Sequence, residues 1–434
     1  MTHLNPQAEE LNQIIQRDNP VICELLSGKG KSAYFPKKGI IKQSAEARGK
    51  AINATIGMAM EDDGSPMRLP SIAEKLNMNP AEAFTYASSY GKPELRKAWQ
   101  ALIYKKNPSL KSRISLPITT NALTHALSIA GFLFVNPGDR ILVTDKFWGN
   151  YRLIFEIGHE GKIETFNTFA GDGFDVPALQ SALKANPGKQ ILALNFPNNP
   201  AGYTPAENEI EQIADVLLES AGKGNRLLVL IDDAYFGLVF RKGVFKESIF
   251  AKLADLHENI LAVKVDGATK EDYVWGFRVG FITYACKGIT VATCSALEEK
   301  TGGAVRGNIS NASHLGQSLV FAAINSPTYE AEKQSKYDLI KSRFDRVQEV
   351  LAQNAEKYSP FFKALPHNSG YFMCVQLNDA LDAESIRQIL LKKYDTGLIA
   401  VGNMLRVAFS SVPADKIPVI FENIFKVCLE IQKG

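Results

Sequence analysis

Several features that would assign this sequence quickly are missing. Cysteine is sparse: there are five in 434 residues, an odd number, scattered and with no CxxC pair. A disulfide framework is therefore not expected, and a reducing, cytoplasmic setting is. Neither sign of charge dominates, since 49 Lys+Arg against 46 Asp+Glu leave a net +3. A surface built to coat nucleic acid is far more basic, so nucleic acid is not an expected partner. Long apolar runs are lacking too. The uncharged stretch 114–138 is interrupted by Thr119, Thr120, Asn121, Thr124 and His125. Its apolar part, 126–135, is about half of the ~20 residues a bilayer crossing needs. That stretch reads as a buried core helix in a soluble chain with no membrane partner. The opening MTHLNPQAEELNQ lacks the basic-then-apolar order of a secretion signal.

Other absences are chemical. The six histidines form no HExxH or H-x3–5-H pattern and do not pair with cysteine, which leaves no metal site to expect. There is no G-x-S-x-G elbow. Gly28-Lys29-Gly30-Lys31-Ser32 ends like a phosphate-binding loop, but Leu25 stands where that motif needs glycine and no strand precedes it. It is read as a solvated basic turn. Internal repeats and low-complexity tracts are also absent.

What is present is an apolar content of 45%, ordinary for a globular protein and enough for a substantial core. Between about 113 and 285, β-rich runs at 140–144, 190–196, 227–232, 260–265 and 277–284 alternate with helical patterns. The LLVLI run is apolar on both faces, as a strand covered by helices on each side would be. Thr204-Pro205-Ala206-Glu207 is read as a helix start, with Thr204 capping and Glu207 at the third position. Alternating strands and helices imply an α/β fold whose sheet is mainly parallel and flanked by helices. After about 325 the pattern changes to a long charged helix from Tyr329 to Lys357, strands near 371–377 and 404–409, and an amphipathic terminal helix. This reads as a smaller α+β domain. The expected division is an N-terminal segment, 1–65, that joins the small domain; a large domain, 66–325; and a small C-terminal domain, 326–434.

Chemistry is concentrated in a few places: Asn199-Pro200-Ala201-Gly202, Asp232-Asp233-Ala234-Tyr235, Lys270 with Arg278 eight residues on, and Arg406 in Leu405-Arg406-Val407. Taken singly, each is open to a bland reading. Asp-Asp at a strand end could be a helix cap or core salt bridge, Asn-Pro a plain turn, and Arg406 a surface salt bridge. Lys264, in a strand six residues before Lys270, has no arginine at the same offset. In their order and spacing, these motifs resemble the fold type I pyridoxal-phosphate aminotransferases of class I/II, over about residues 50–415.

The resemblance implies a seven-stranded-type sheet in a large domain, pyridoxal 5'-phosphate as cofactor, and a role for each matching residue. Lys270 would condense with the cofactor aldehyde and later move the substrate's α-proton. Asp232, three before Tyr235, would pair with the protonated pyridine nitrogen, keeping the ring able to take up electrons. Arg278 would grip the phosphate with a planar guanidinium. Ala122, Leu123 and Thr124 would add donors at a helix N-terminus. Asn199 and Tyr235 would bond the ring oxygen, and Trp148 would stack on the ring. Arg406 would hold the substrate α-carboxylate in a bidentate clamp. Two positions depart from the family: Ala122 stands where glycine or serine is usual, and Gly267 where serine is usual, with Thr269 able to supply the hydroxyl.

Three further matches resemble the aspartate/aromatic branch: Gly57 on the substrate side, Tyr86 reaching the phosphate from a neighbouring subunit, and Arg306 binding a second substrate carboxylate across a dimer interface. Together they imply a homodimer moving an amino group between a dicarboxylic or aromatic L-amino acid and a 2-oxo acid by a ping-pong route. The rivals are another reaction of the same cofactor, β-elimination or decarboxylation, and a non-catalytic ligand-sensing module.

Overall fold

The structure is a computed structural model; it describes residues 4–18, 20–34 and 39–433. Parts of the expected N-terminal segment, at 1–3, 19 and 35–38, lie outside those residues, as does 434.

Seven strands form the central sheet: β1 (Ile118–Asn121), β2 (Arg140–Thr144), β3 (Lys162–Phe166), β4 (Lys189–Asn195), β5 (Arg226–Asp232), β6 (Ile260–Asp266) and β7 (Val279–Ala285). Their spatial order is β1-β7-β6-β5-β4-β2-β3. The pairs β2–β3, β2–β4, β4–β5 and β5–β6 are parallel, while β7 runs antiparallel to both β1 and β6. The mainly parallel sheet expected from the strand–helix alternation is thus what the chain builds. The inner strands are nearly continuous in Leu, Ile, Val and Ala and are buried on both faces, as crossover helices require.

The uncharged run after β1 forms helix α1 (Ala122–Phe134), largely buried against the sheet. Helix α2 (Glu207–Gly222) starts later than expected. Its N-cap is Ala206, whose N–H donates to the Glu209 carboxylate at 2.6 Å. Thr204 instead bonds the Ser369 hydroxyl at 2.8 Å, tying the loop to a distant segment. The capping acid is therefore three residues from Ala206, not from Thr204.

The long helix α3 spans Tyr329–Gln353, and a short turn, Ala355–Tyr358, follows it. Beyond it lie β8 (Phe362–Ala364), β9 (Met373–Leu377), β10 (Ile399–Val401) and β11 (Met404–Val407), an antiparallel sheet in the order β8-β9-β11-β10. The terminal helix, Ile417–Lys433, buries Ile420, Phe421, Ile424, Val427 and Cys428. The chain's beginning joins this second sheet region. Ile52–Asn53 pairs in parallel with Thr396–Gly397. The helix Ile40–Glu46 is bolted on by Gln43, whose amide donates to Ala400 O at 3.1 Å and accepts from Ala400 N at 2.7 Å.

Among the described residues no helix is long and apolar enough to cross a membrane, no group of three or more His, Cys, Asp or Glu could hold a metal ion, and all five cysteines are free.

Candidate active site

The parallel strands β4, β5 and β6 end side by side at Asn195, Asp232 and Asp266. Such carboxyl ends open onto the crevice where α/β sheets bind ligands. Because β7 runs the other way, it begins at this same edge, and Arg278 immediately precedes it. At the end of β1, α1 starts at Ala122. Two glycines let these pieces meet. A Cβ on Gly280 would lie 2.6 Å from the Ala122 carbonyl carbon, and one on Gly267 would lie 2.6 Å from Val279 O. Gly267 therefore lacks a hydroxyl because no side chain fits there. The backbone is left-handed at Ala122 (φ 62°) and Arg278 (φ 56°), a conformation costly for non-glycine residues and concentrated at functional sites.

A cavity of about 310 Å³ opens at this edge. Lys270, Asp232, Tyr235, Asn199, Arg278, Trp148, Ala122, Leu123, Thr124, Thr269, Arg406 and Gly57 all line it, brought together from across the sequence. Gly267, expected among the cofactor-binding residues, does not line it. Tyr86, 90% exposed, and Arg306, which donates to the Ser310 hydroxyl at 3.2 Å, stand on the surface outside it.

The two adjacent aspartates separate cleanly. Asp233 faces the core, where its carboxylate pairs with the buried ammonium of Lys264, which also lies 3.4 Å from Asp266, and accepts the Ser248 hydroxyl at 2.6 Å. Lys264 is thus a structural cation, committed to its carboxylates. Asp232 faces the cavity and accepts the Tyr151 hydroxyl at 2.6 Å and the Ala234 N–H at 3.2 Å. Burial pushes its pKa up, against the pull of Tyr151 and Lys270. A carboxylate so placed favours a cationic partner. Burial also drives Lys270 down to about 8, Arg278 adding to the drop and Asp232 opposing it. Its ammonium lies 5.2 Å from the Tyr235 ring centre.

Arg406 is buried on β11, its guanidinium stacked on Phe372 at 4.2 Å. It donates to Asn199 Oδ1 at 3.3 Å and Thr55 O at 3.1 Å, while Nε has no partner. The bland reading as a surface salt bridge is excluded by that burial. Burial lowers the Arg406 pKa, and no carboxylate is among the causes of its shift. An arginine held this way offers a vacant charge-assisted donor to a carboxylate.

Matches to known proteins agree with this arrangement. The family Aminotransferase class I and II matches residues 52–424. The chain belongs to the class I and II aminotransferases. It is accordingly a pyridoxal-phosphate-dependent transaminase. An aromatic-amino-acid aminotransferase of Escherichia coli is 24% identical over 387 residues, covering 87% of this chain and 94% of that protein. An aspartate aminotransferase of Salmonella typhi is 24% identical, covering 72% and 78%. The solved aminotransferase of Anaerococcus prevotii superposes with a TM-score of 0.82 at 22% identity, covering 93% and 98%.

The cavity suits that cofactor on its own terms. Arg278 carries no anionic partner and is shifted by burial alone. The Thr269 hydroxyl is buried without a partner. A cation and an unmatched donor beside the α1 N-terminus fit a phosphate, and Asp232 fits a ring nitrogen that carries a proton. Other residues were not foreseen from the sequence. Tyr151, one turn past Trp148, holds Asp232, and the Trp148–Tyr151 rings pack edge-on at 5.9 Å. Asn195 donates to Asp232 O at 2.8 Å and accepts from Asn199 N at 2.8 Å, linking two motifs of the aminotransferase site. Ile40 and Ser44 reach the cavity from the helix Ile40–Glu46. The Trp148–Tyr151 spacing was the one usable signal among these.

Proposed function

We propose that this aminotransferase works as a homodimer in the cytoplasm, moving an amino group between a dicarboxylic or aromatic L-amino acid and a 2-oxo acid such as 2-oxoglutarate. The carrying observation is that one cavity holds a buried arginine without a carboxylate, Arg406, and a lysine whose pKa burial lowers to about 8, Lys270. When bound, pyridoxal phosphate supplies an aldehyde that accepts the amino group and a ring that takes up the electrons left when the Cα proton departs. Arg406 binds the substrate α-carboxylate and so orients the Cα–H bond. Lys270 takes the Cα proton on its amine, a task its lowered pKa suits near neutral pH. Asp232, steadied by Tyr151, keeps the ring nitrogen protonated. Asn199 and Tyr235 bind the ring oxygen, Trp148 covers the ring face, and Arg278, Thr269 and residues 122–124 hold the phosphate. Gly57 leaves room on the substrate side. The division into 1–65, 66–325 and 326–434 follows the same reading, with substrate held between the two sheets.

Tyr86 and Arg306 act from the second subunit in this proposal, Tyr86 on the phosphate and Arg306 on a substrate's second carboxylate. Their surface positions suit contact with another copy. The relatives named above act on aspartate and on aromatic amino acids, which supports the same two substrate classes. A panel of amino donors assayed with 2-oxoglutarate tests the activity, and Arg306→Ala tests the class. The variant should lose far more activity with aspartate and glutamate than with phenylalanine. Equal losses would remove Arg306 from the site.

A further inference from the structure

One polar side chain of the cavity wall is unused by the chemistry above. Trp275 lines the cavity beside Thr269, Lys270 and Arg278, and its indole Nε1 is buried with no acceptor. An indole N–H withdrawn from water ordinarily finds a partner. Its neighbours supply none: the ring packs edge-on against Tyr273, 6.0 Å between centroids. The same residue holds the proposed phosphate anchor, since Arg278 Nη1 donates to Trp275 O at 3.2 Å. Thr269 Oγ1 is a second buried atom without a partner on this wall. A guanidinium with no anionic partner, beside an indole N–H and a hydroxyl that have no acceptor, describes a receptor for an anion bearing several oxygens. Family members usually bring a serine hydroxyl at the position of Gly267. Here the backbone of Val279 and Gly280 closes that space.

We propose that the Trp275 indole N–H donates to the cofactor phosphate, taking over the bond that a side chain at Gly267 cannot make. The assignment rests on the cofactor reading above. The test titrates cofactor-free wild type and Trp275→Phe with pyridoxal phosphate and with pyridoxal, which lacks the phosphate, following visible absorbance and fluorescence quenching. Phenylalanine keeps a ring against Tyr273 and the backbone carbonyl for Arg278. The variant should bind pyridoxal phosphate about ten- to a hundredfold more weakly, the usual weight of a hydrogen bond to a charged group. Pyridoxal binding should change less than about twofold, a shift too small to reflect a lost bond of that kind. Equal losses for both ligands, or none, overturn the assignment. If the variant does not fold, proton–nitrogen NMR of the wild type decides, because the chain has only three tryptophans. An indole resonance that shifts with pyridoxal phosphate but not with pyridoxal supports the bond, and three unmoved resonances overturn it. A wild type that binds neither ligand overturns the cofactor reading and this one with it, whereas an unchanged ratio overturns Trp275 alone.

Discussion

Replacing Lys270 with methionine should stabilise the cofactor-free protein at neutral pH. Burial, reinforced by Arg278, moves the Lys270 ammonium from 10.5 to about 8, with Asp232 opposing. The folded state thus binds this proton more weakly than the unfolded chain does. Below about pH 8 both states carry the charge and the full cost is present. Between about 8 and 10.5 the unfolded chain holds more protons, so this group makes stability rise with pH through that window. The drop corresponds to about 3 kcal/mol. Lys270 is only partly buried by surface area, and Asp232 loses its nearest cation in the variant. A net gain of about 1–2 kcal/mol is therefore expected at pH 7. Urea unfolding of cofactor-free wild type and Lys270→Met at pH 7 and pH 10 measures it. The gap should be present at pH 7 and shrink towards pH 10. A variant less stable at pH 7, or a gap indifferent to pH, would refute the reasoning.

Two other substitutions probe the frame around the site. Tyr151→Phe removes the 2.6 Å bond to Asp232 and leaves that carboxylate less acidic; cofactor affinity should fall about tenfold in an equilibrium titration, and an unchanged affinity would take Tyr151 out of the account. Gly202 sits at φ 73° with Phe372 O only 1.8 Å from where a Cβ would be. Gly202→Ala should lower unfolding stability by at least about 2 kcal/mol, because both backbone strain and a clash oppose it. A loss below about 0.5 kcal/mol in urea would show that the loop yields more easily than this packing implies.

The sequence exposes residues whose chemistry is tied to a strand end. Asp232, Lys270 and Arg278 stand at or just beyond the ends of β5 to β7, so their spacing along the chain translates directly into one edge of the sheet. Arg406 is legible for a related reason, since an arginine inside an apolar strand must find an anion or a stacking partner. Residues delivered by tertiary folding are not legible. Ile40 and Ser44 reach the cavity only because Gln43 clamps their helix to Ala400, and Phe372 only because β9 pairs with β11. The start of α2 differs from the Thr204 expectation because its cap depends on Glu209 reaching Ala206, while Thr204 is drawn away by Ser369. Lys264 looked like an isolated strand lysine; its partners, Asp233 and Asp266, become apparent only when β5 lies beside β6. Tyr86 and Arg306 stand on the surface outside the cavity, so the fold of one chain does not bring them to it.

The central claim is that Lys270 is the lysine that bonds the cofactor, while Lys264, six residues away and more deeply buried, is not. Borohydride reduction of the protein loaded with pyridoxal phosphate makes the carbon–nitrogen bond permanent, and mass spectrometry of a digest locates it. The account predicts the pyridoxyl mass on Lys270 alone, and its loss in Lys270→Ala. A label on Lys264, or one on Lys270→Ala protein at wild-type yield, would contradict it.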